Sequence, residues 1–164
     1  MSDFQTSTQF LQPDFVAGEL DRSIPHTAKA LTLTTATAVN IFGRACYTTD
    51  NVNMTVGNPS AGMFAGILAH SKEILGGTVE GGAVNLAGQY TQATAIDTGA
   101  VKIPVSGNVT LGQSLQAANA TGAITAFTGN LTAGNTQIGN AIVERIVGDI
   151  GGNLTGVVAR IIGK

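Results

Sequence analysis

The sequence has 164 residues, a length that suits one domain. Only 11% of them are charged, against about 25% in an ordinary soluble domain. With 8 Lys and Arg against 10 Asp and Glu, the net charge of -2 leaves no basic surplus for neutralising phosphates, so nucleic acid is excluded as a general partner. Hydrophobic residues make up 43%, too many for a disordered chain, and no apolar run is long enough to span a membrane.

The first 28 residues differ from the rest. They hold Pro13 and Pro25, three of the six phenylalanines (Phe4, Phe10 and Phe15) and a charge cluster of Asp14, Glu19, Asp21 and Arg22. Apolar spacing here follows neither a strand nor a helix period, and each proline forces extended geometry on its predecessor. An extended N-terminal arm over residues 1–28, followed by a β-rich body over 29–164, is the expected organisation, with a disordered tail as the alternative reading of the first segment. Three Phe so close together predict an arm that docks, because isolated apolar anchors in a solvated tail gain nothing. The start, Met1 to Thr6, has neither a positive nor an apolar region, so no signal peptide is expected and synthesis in the cytosol follows. The five Asn-x-Thr triplets, at Asn53, Asn108, Asn119, Asn130 and Asn153, are then chance products of a Thr- and Asn-rich composition.

From Ala30 onward the chain reads as β. Ala30–Thr34 alternates apolar and hydroxyl residues, as a half-buried strand does. Strands are also expected over Val39–Tyr47, Asn51–Val56, Met63–His70 and Val101–Val105, with a turn at Gly57-Asn58-Pro59-Ser60. Pro104 predicts an edge or a bulge, because proline cannot donate to a ladder. Ala117–Ala120 suits one helical turn, and alternation resumes over Thr121–Phe127. Near the C-terminus, the apolar residues from Ile142 to Ile162 fit a helical stripe, but Gly148, Gly151, Gly152 and Gly156 each cost roughly 1 kcal/mol in a helix. The preferred reading is a hairpin: a strand through Val147, a turn at Gly151-Gly152-Asn153 and a strand through Ile162. Short strands separated by Gly and Asn breaks predict an all-β fold, a single antiparallel β-sandwich or barrel with an extended N-terminal arm.

Charge is unevenly spread. From Ile103 to Val143 there is no Asp, Glu, Lys or Arg. Soluble β proteins usually guard their edges with charge, and interface cores are depleted in it. Part of this stretch is therefore expected to be covered by another chain.

The sequence offers little chemistry. His26 and His70 are the only histidines, and Cys46 is the only cysteine, so neither a metal site nor an internal disulfide is expected. Gly76–Gly82 is glycine-rich but lacks the lysine and following helix of a phosphate-binding loop. A catalytic reading would need His70, Lys72, Glu73 and Glu80 to converge. Cys46, inside an alternating strand, reads as a buried inert thiol. No cofactor and no enzyme activity are expected.

Several stretches together resemble the head cement or capsid decoration proteins of tailed phages. They are Val16–Leu20 running on to Ser23-Ile24-Pro25, Ile41-Phe42-Gly43-Arg44-Ala45-Cys46, Met63–Leu68 followed by Lys72-Glu73, Thr98–Val101 leading to Val105, and Gly107–Gln113. Thr121–Ile124 and Ile138–Ala141 add weaker echoes, whereas the glycine-rich Gly148–Gly156 departs from the family pattern. The resemblance implies a virion structural protein on the capsid exterior that binds assembled shells and bridges major capsid proteins. Its implied partners are the major capsid protein and other copies of itself, with no nucleic acid and no membrane. Phe4, Phe10, Phe15, Asp14, Asp21 and Arg22 are the residues expected to contact the capsid or a neighbouring copy. The alternative is a virion spike or fibre-base module that binds host-surface glycan. That role wants flat aromatic platforms, and the chain has no Trp and only Tyr47 and Tyr90.

Overall fold

A computed structural model describes residues 15–34, 42–59, 62–70 and 91–162. Every regular element among them is a strand: β1 (Leu20–Asp21), β2 (Thr27–Leu33), β3 (Ala45–Thr48), β4 (Asn53–Val56), β5 (Met63–Leu68), β6 (Thr91–Ser106), β7 (Ser114–Ala118), β8 (Ile124–Ala126), β9 (Asn135–Gly151) and β10 (Leu154–Ile161). The pairings form two closed circuits that share the long β6. One runs β6–β10–β9–β7–β8 and back to β6; the other runs β6–β2–β4–β3–β5 and back to β6. Closure removes the free edges that open sheets must protect. Most pairings are antiparallel, but the short β2–β4 and β6–β8 contacts are parallel.

Each circuit has its own core. Val101, Ile103 and Val105 of β6 meet Val157, Ala159 and Ile161 of β10, Leu115 and Ala117 of β7, and Ile138 and Val143 of β9. In the second circuit, Leu31, Leu33, Met54, Val56 and Cys46 pack against Ala93 and Ala95. The two cores interlock through β3. Cys46 faces the second core, whereas Ala45 and Tyr47 join the first, so all four residues of β3 are buried.

The N-terminal half of β6 gave no strand signal because its inward residues are Ala93 and Ala95. Small side chains carry low β propensity but fill the narrow second circuit. Pro104 lies in this central strand, paired with Gly156 without a bulge, and not at a sheet edge as expected. On its other flank β1 ends against Val101 and β8 begins at Val105, so the missing N–H falls in a gap between partners. The single helical turn expected at Ala117–Ala120 is shifted: Leu115 and Ala117 alternate into the core along β7, and the turn follows at its end, where the Gly122 N–H donates to the Ala118 carbonyl four residues back. The C-terminal hairpin forms at the expected turn. Gly151 pairs with Leu154, and Gly152 and Asn153 take φ of 63° and 61°, as a two-residue type I′ turn requires.

The β3–β4 connection is held by the Thr48 hydroxyl, which accepts from the Asn51 amide (3.0 Å) and donates to the Asn53 carbonyl (2.6 Å), and by the Asp50 carboxylate. Asp50 Oδ1 accepts from the amides of Val52 (2.9 Å) and Asn53 (2.7 Å), and its Oδ2 accepts from Asn53 Nδ2 (2.7 Å). These bonds, the Asn53 amide foremost, hold its pKa down at about 2, against an ordinary 3.8. The ionised form is favoured in the folded state, so its contribution is complete above about pH 3.8 and disappears as pH falls through about 2. An NMR titration should place the Asp50 midpoint near 2, and Asp50→Asn should remove this component of acid sensitivity. A midpoint close to 3.8 would contradict the turn geometry.

Candidate interaction surface

Of the expected contact residues, Phe4, Phe10 and Asp14 lie outside the described residues. Phe15, Asp21 and Arg22 belong to a strap over residues 15–26 that crosses both circuits. A Cβ built on Gly156 would fall 2.6 Å from Phe15 Cδ2, so the ring sits where a β10 side chain would stand. This accounts for one glycine of the glycine-rich Gly148–Gly156 stretch. Gly18 is the tightest point. Its amide donates to the Lys102 carbonyl (2.7 Å) in β6, and its carbonyl accepts from the His70 amide (2.9 Å) just after β5. The Lys102 amide then donates to Glu19 O (2.8 Å), and β1 pairs Leu20 with Val101.

Side chains reinforce the strap. Lys102 Nζ meets Glu19 Oε2 at 2.6 Å, and Arg145 Nη2 lies 3.8 Å from Asp21 Oδ2. Asp21 also accepts from the Ser23 hydroxyl (2.6 Å) and amide (3.1 Å), which with Arg145 lowers its pKa. Arg22 is exposed. The structure thus directs Phe15 and Asp21 onto the chain's own body and Arg22 outward. Nothing in the sequence pattern distinguished these three, because the distinction depends on what β6, β9 and β10 present beneath them.

The rest of the surface is polarised. The ion pairs Lys29–Asp97, Lys102–Glu19, Arg145–Asp21 and Arg160–Glu144 all lie on β2, β6, β9, β10 and the strap, with Glu19 just ahead of β1. The charge-free stretch supplies β7, β8 and the loops on either side of them. Arg44 reaches it from the second circuit, donating to the Thr121 carbonyl (3.1 Å). Elsewhere this face offers hydroxyls, amides and apolar groups.

The chemistry considered from sequence does not gather. Cys46 is fully buried, and burial pushes its thiol up to about 12, so it stays protonated. The His70 ring packs at 5.0 Å from Phe42, while Lys72, Glu73 and Glu80 lie outside the described residues. An open hollow is lined by Thr34, Tyr47, Thr48, Asp50, Asn53 and Thr55. Its hydroxyls on Thr34, Thr48 and Thr55 are already bonded to the carbonyls of Met54, Asn53 and Gly57. Tyr47 is buried and presents no open ring for a sugar.

A family model described as "Structural cement protein (E217 gp24/Pam3 gp6)", a phage cement family, matches residues 4–161. The chain belongs to this phage structural cement protein family. No curated protein matches it by sequence. Among solved structures, a chain from "The capsid of Myoviridae Phage XM1" is similar, with a TM-score of 0.66 at 19% identity over 97% of this chain and 98% of that one. At that identity the likeness speaks for the fold, and it extends over both circuits. The cement family match also spans the strap and the charge-free stretch, the two surfaces singled out above.

Proposed function

We propose that this cement protein binds the outer surface of an icosahedral phage capsid and stabilises the assembled shell by bridging neighbouring major capsid proteins. The observation that carries this reading is the family match over residues 4–161. A capsid chain of the same fold supports it. The role is structural, not catalytic, and the protein resides in the virion after synthesis in the host cytoplasm. A protein that binds the assembled lattice better than free subunits stabilises the lattice by mass action, and many copies on one shell add avidity.

Within this reading, Phe4, Phe10 and Asp14, with the outward Arg22, are the arm residues that reach a capsid protein or a neighbouring copy. Phe15 and Asp21 set the arm's starting point by fixing it over Gly156 and Arg145. The test uses shells of the same phage assembled without the protein. Adding the full chain should raise the temperature at which shells disrupt, and a chain lacking residues 1–14 should bind them more weakly. Shells that neither bind the full chain nor gain stability from it would overturn the proposal. Equal binding by the shortened chain would remove the arm's part in it.

A further inference from the structure

The loops of the charge-free face carry an unused feature. Leu111 is 66% exposed and Leu131 is 55% exposed, at the tips of the loops before and after the β7–β8 hairpin. Single exposed apolar residues are ordinary, so the exposure alone decides nothing. What distinguishes this pair is how rigidly the flanking backbone is held. Val109 packs on the first core. Gln113 Oε1 accepts from the Thr110 amide (2.9 Å), and the Gly112 amide donates to the Val143 carbonyl (2.8 Å).

The second loop is pinned from beneath by Gln116, which is buried within β7. Its Nε2 donates to the Ala126 carbonyl (3.2 Å) and to Thr132 Oγ1 (3.0 Å), and its Oε1 accepts from the Thr132 amide (3.2 Å). Gln113 Nε2 donates to the Phe127 carbonyl (3.3 Å), and the Phe127 amide donates to Ser114 O (2.8 Å). The two loops therefore leave the barrel side by side. A surface ordered in advance loses little conformational entropy on docking.

We propose that this loop face, centred on Leu111 and Leu131, docks on an uncharged patch of the capsid protein. The proposal rests on the capsid-binding reading above. The chemistry of the face selects its partner. No charge occurs between Ile103 and Val143, so a partner burying a charge here would find no counter-charge of this stretch to offset its desolvation. A nucleic acid or an anionic membrane would want cations, and a sugar would want an open aromatic, whereas Phe127 is the only aromatic in the stretch and is half-buried. Two exposed apolar anchors, flanked in their loops by Asn108, Thr110, Asn130 and Thr132, match a protein interface with a small apolar centre and a hydrogen-bonding rim.

The experiment measures binding of full-length Leu111→Asp, Leu131→Asp and double variants to shells assembled without the protein. Met63→Asp, which alters an equally exposed apolar residue on the second circuit, is the control. Each loop substitution should weaken binding about tenfold and the pair by more, with melting temperatures unchanged and Met63→Asp within about twofold of wild type. Full-strength binding by the double variant, while wild type binds normally, would overturn the face and leave the capsid reading intact. Failure of wild type to bind would overturn the capsid reading itself. Sedimentation velocity without shells gives the remaining outcome: a wild-type oligomer dissociated by the double variant would reassign the face to contacts between copies.

Discussion

Gly18→Ala should destabilise the protein by about 3 kcal/mol or more, lowering its melting temperature by roughly 6–12 °C. Gly18 has φ of +78°, where a side chain is strained. A Cβ there would also sit 2.6 Å from the His70 amide nitrogen and 2.7 Å from the Leu68 carbonyl oxygen. Both are backbone atoms, at the last residue of β5 and just after it, so neither can swing aside as a flexible side chain does. Relief requires lifting the strap, which breaks the Gly18 bonds to Lys102 and His70 that link the two circuits from outside. Gly107→Ala separates strain from clash, because Gly107 has φ of +89° but nothing within 4 Å of its added Cβ. That control should cost only about 1–2 kcal/mol. Melting of Gly18→Ala no lower than Gly107→Ala would show that the strap tolerates the atom.

Removing residues 1–22 should cost on the order of 4 kcal/mol, more than an arm that merely lay outside a folded body would cost. The deletion takes away both Gly18 bonds, the Lys102 amide bond to Glu19, the Glu19–Lys102 and Asp21–Arg145 ion pairs, and the pairing of Leu20 with Val101. It also uncovers Gly156, which has no side chain of its own to replace the Phe15 ring. The exposed ion pairs contribute little; the backbone bonds and the apolar contacts carry most of the effect. Deleting only residues 1–14 removes none of these contacts and is the matched comparison. Denaturant unfolding of the two truncations checks the prediction, and equal stability of the two would refute it. The distinction matters for binding experiments, since weaker shell binding by the longer deletion could reflect a damaged body, whereas the shorter one addresses the arm.

Much of the architecture was legible where a strand has one buried face. Ala30–Thr34 and Asn51–Val56 alternate because they line a circuit, and with the apolar run Met63–His70 they appear as β2, β4 and β5 with shifts of a few residues at their ends. The C-terminal hairpin was legible through Gly151-Gly152-Asn153, since only residues tolerant of positive φ suit that turn. The first half of β6 was not, because Ala93 and Ala95 answer to the volume inside the second circuit and not to any local preference. Pro104 was misread for a related reason. A proline reports that one amide is missing, not which flank of a strand lacks a neighbour.

Of the candidate surface, the sequence exposed the absence of charge from Ile103 to Val143 and the cluster of arm residues. It did not single out Leu111, Leu131, or the Gln113 and Gln116 that order their loops. These residues look like any other polar and apolar positions until the ladders bring Phe127 and Thr132 against them.

Composition, turn residues and alternation are local or additive properties, and by themselves they determined an all-β chain, its C-terminal turn and a stretch without charge. The sharing of β6 by two closed circuits, the docking of Phe15 into the space left by Gly156, and the fixed loops of the charge-free face were decided only by the tertiary structure. Each depends on partners far apart in sequence, and which strand pairs with which is set by closing the ladders and filling two cores at once, not by any one segment's preference.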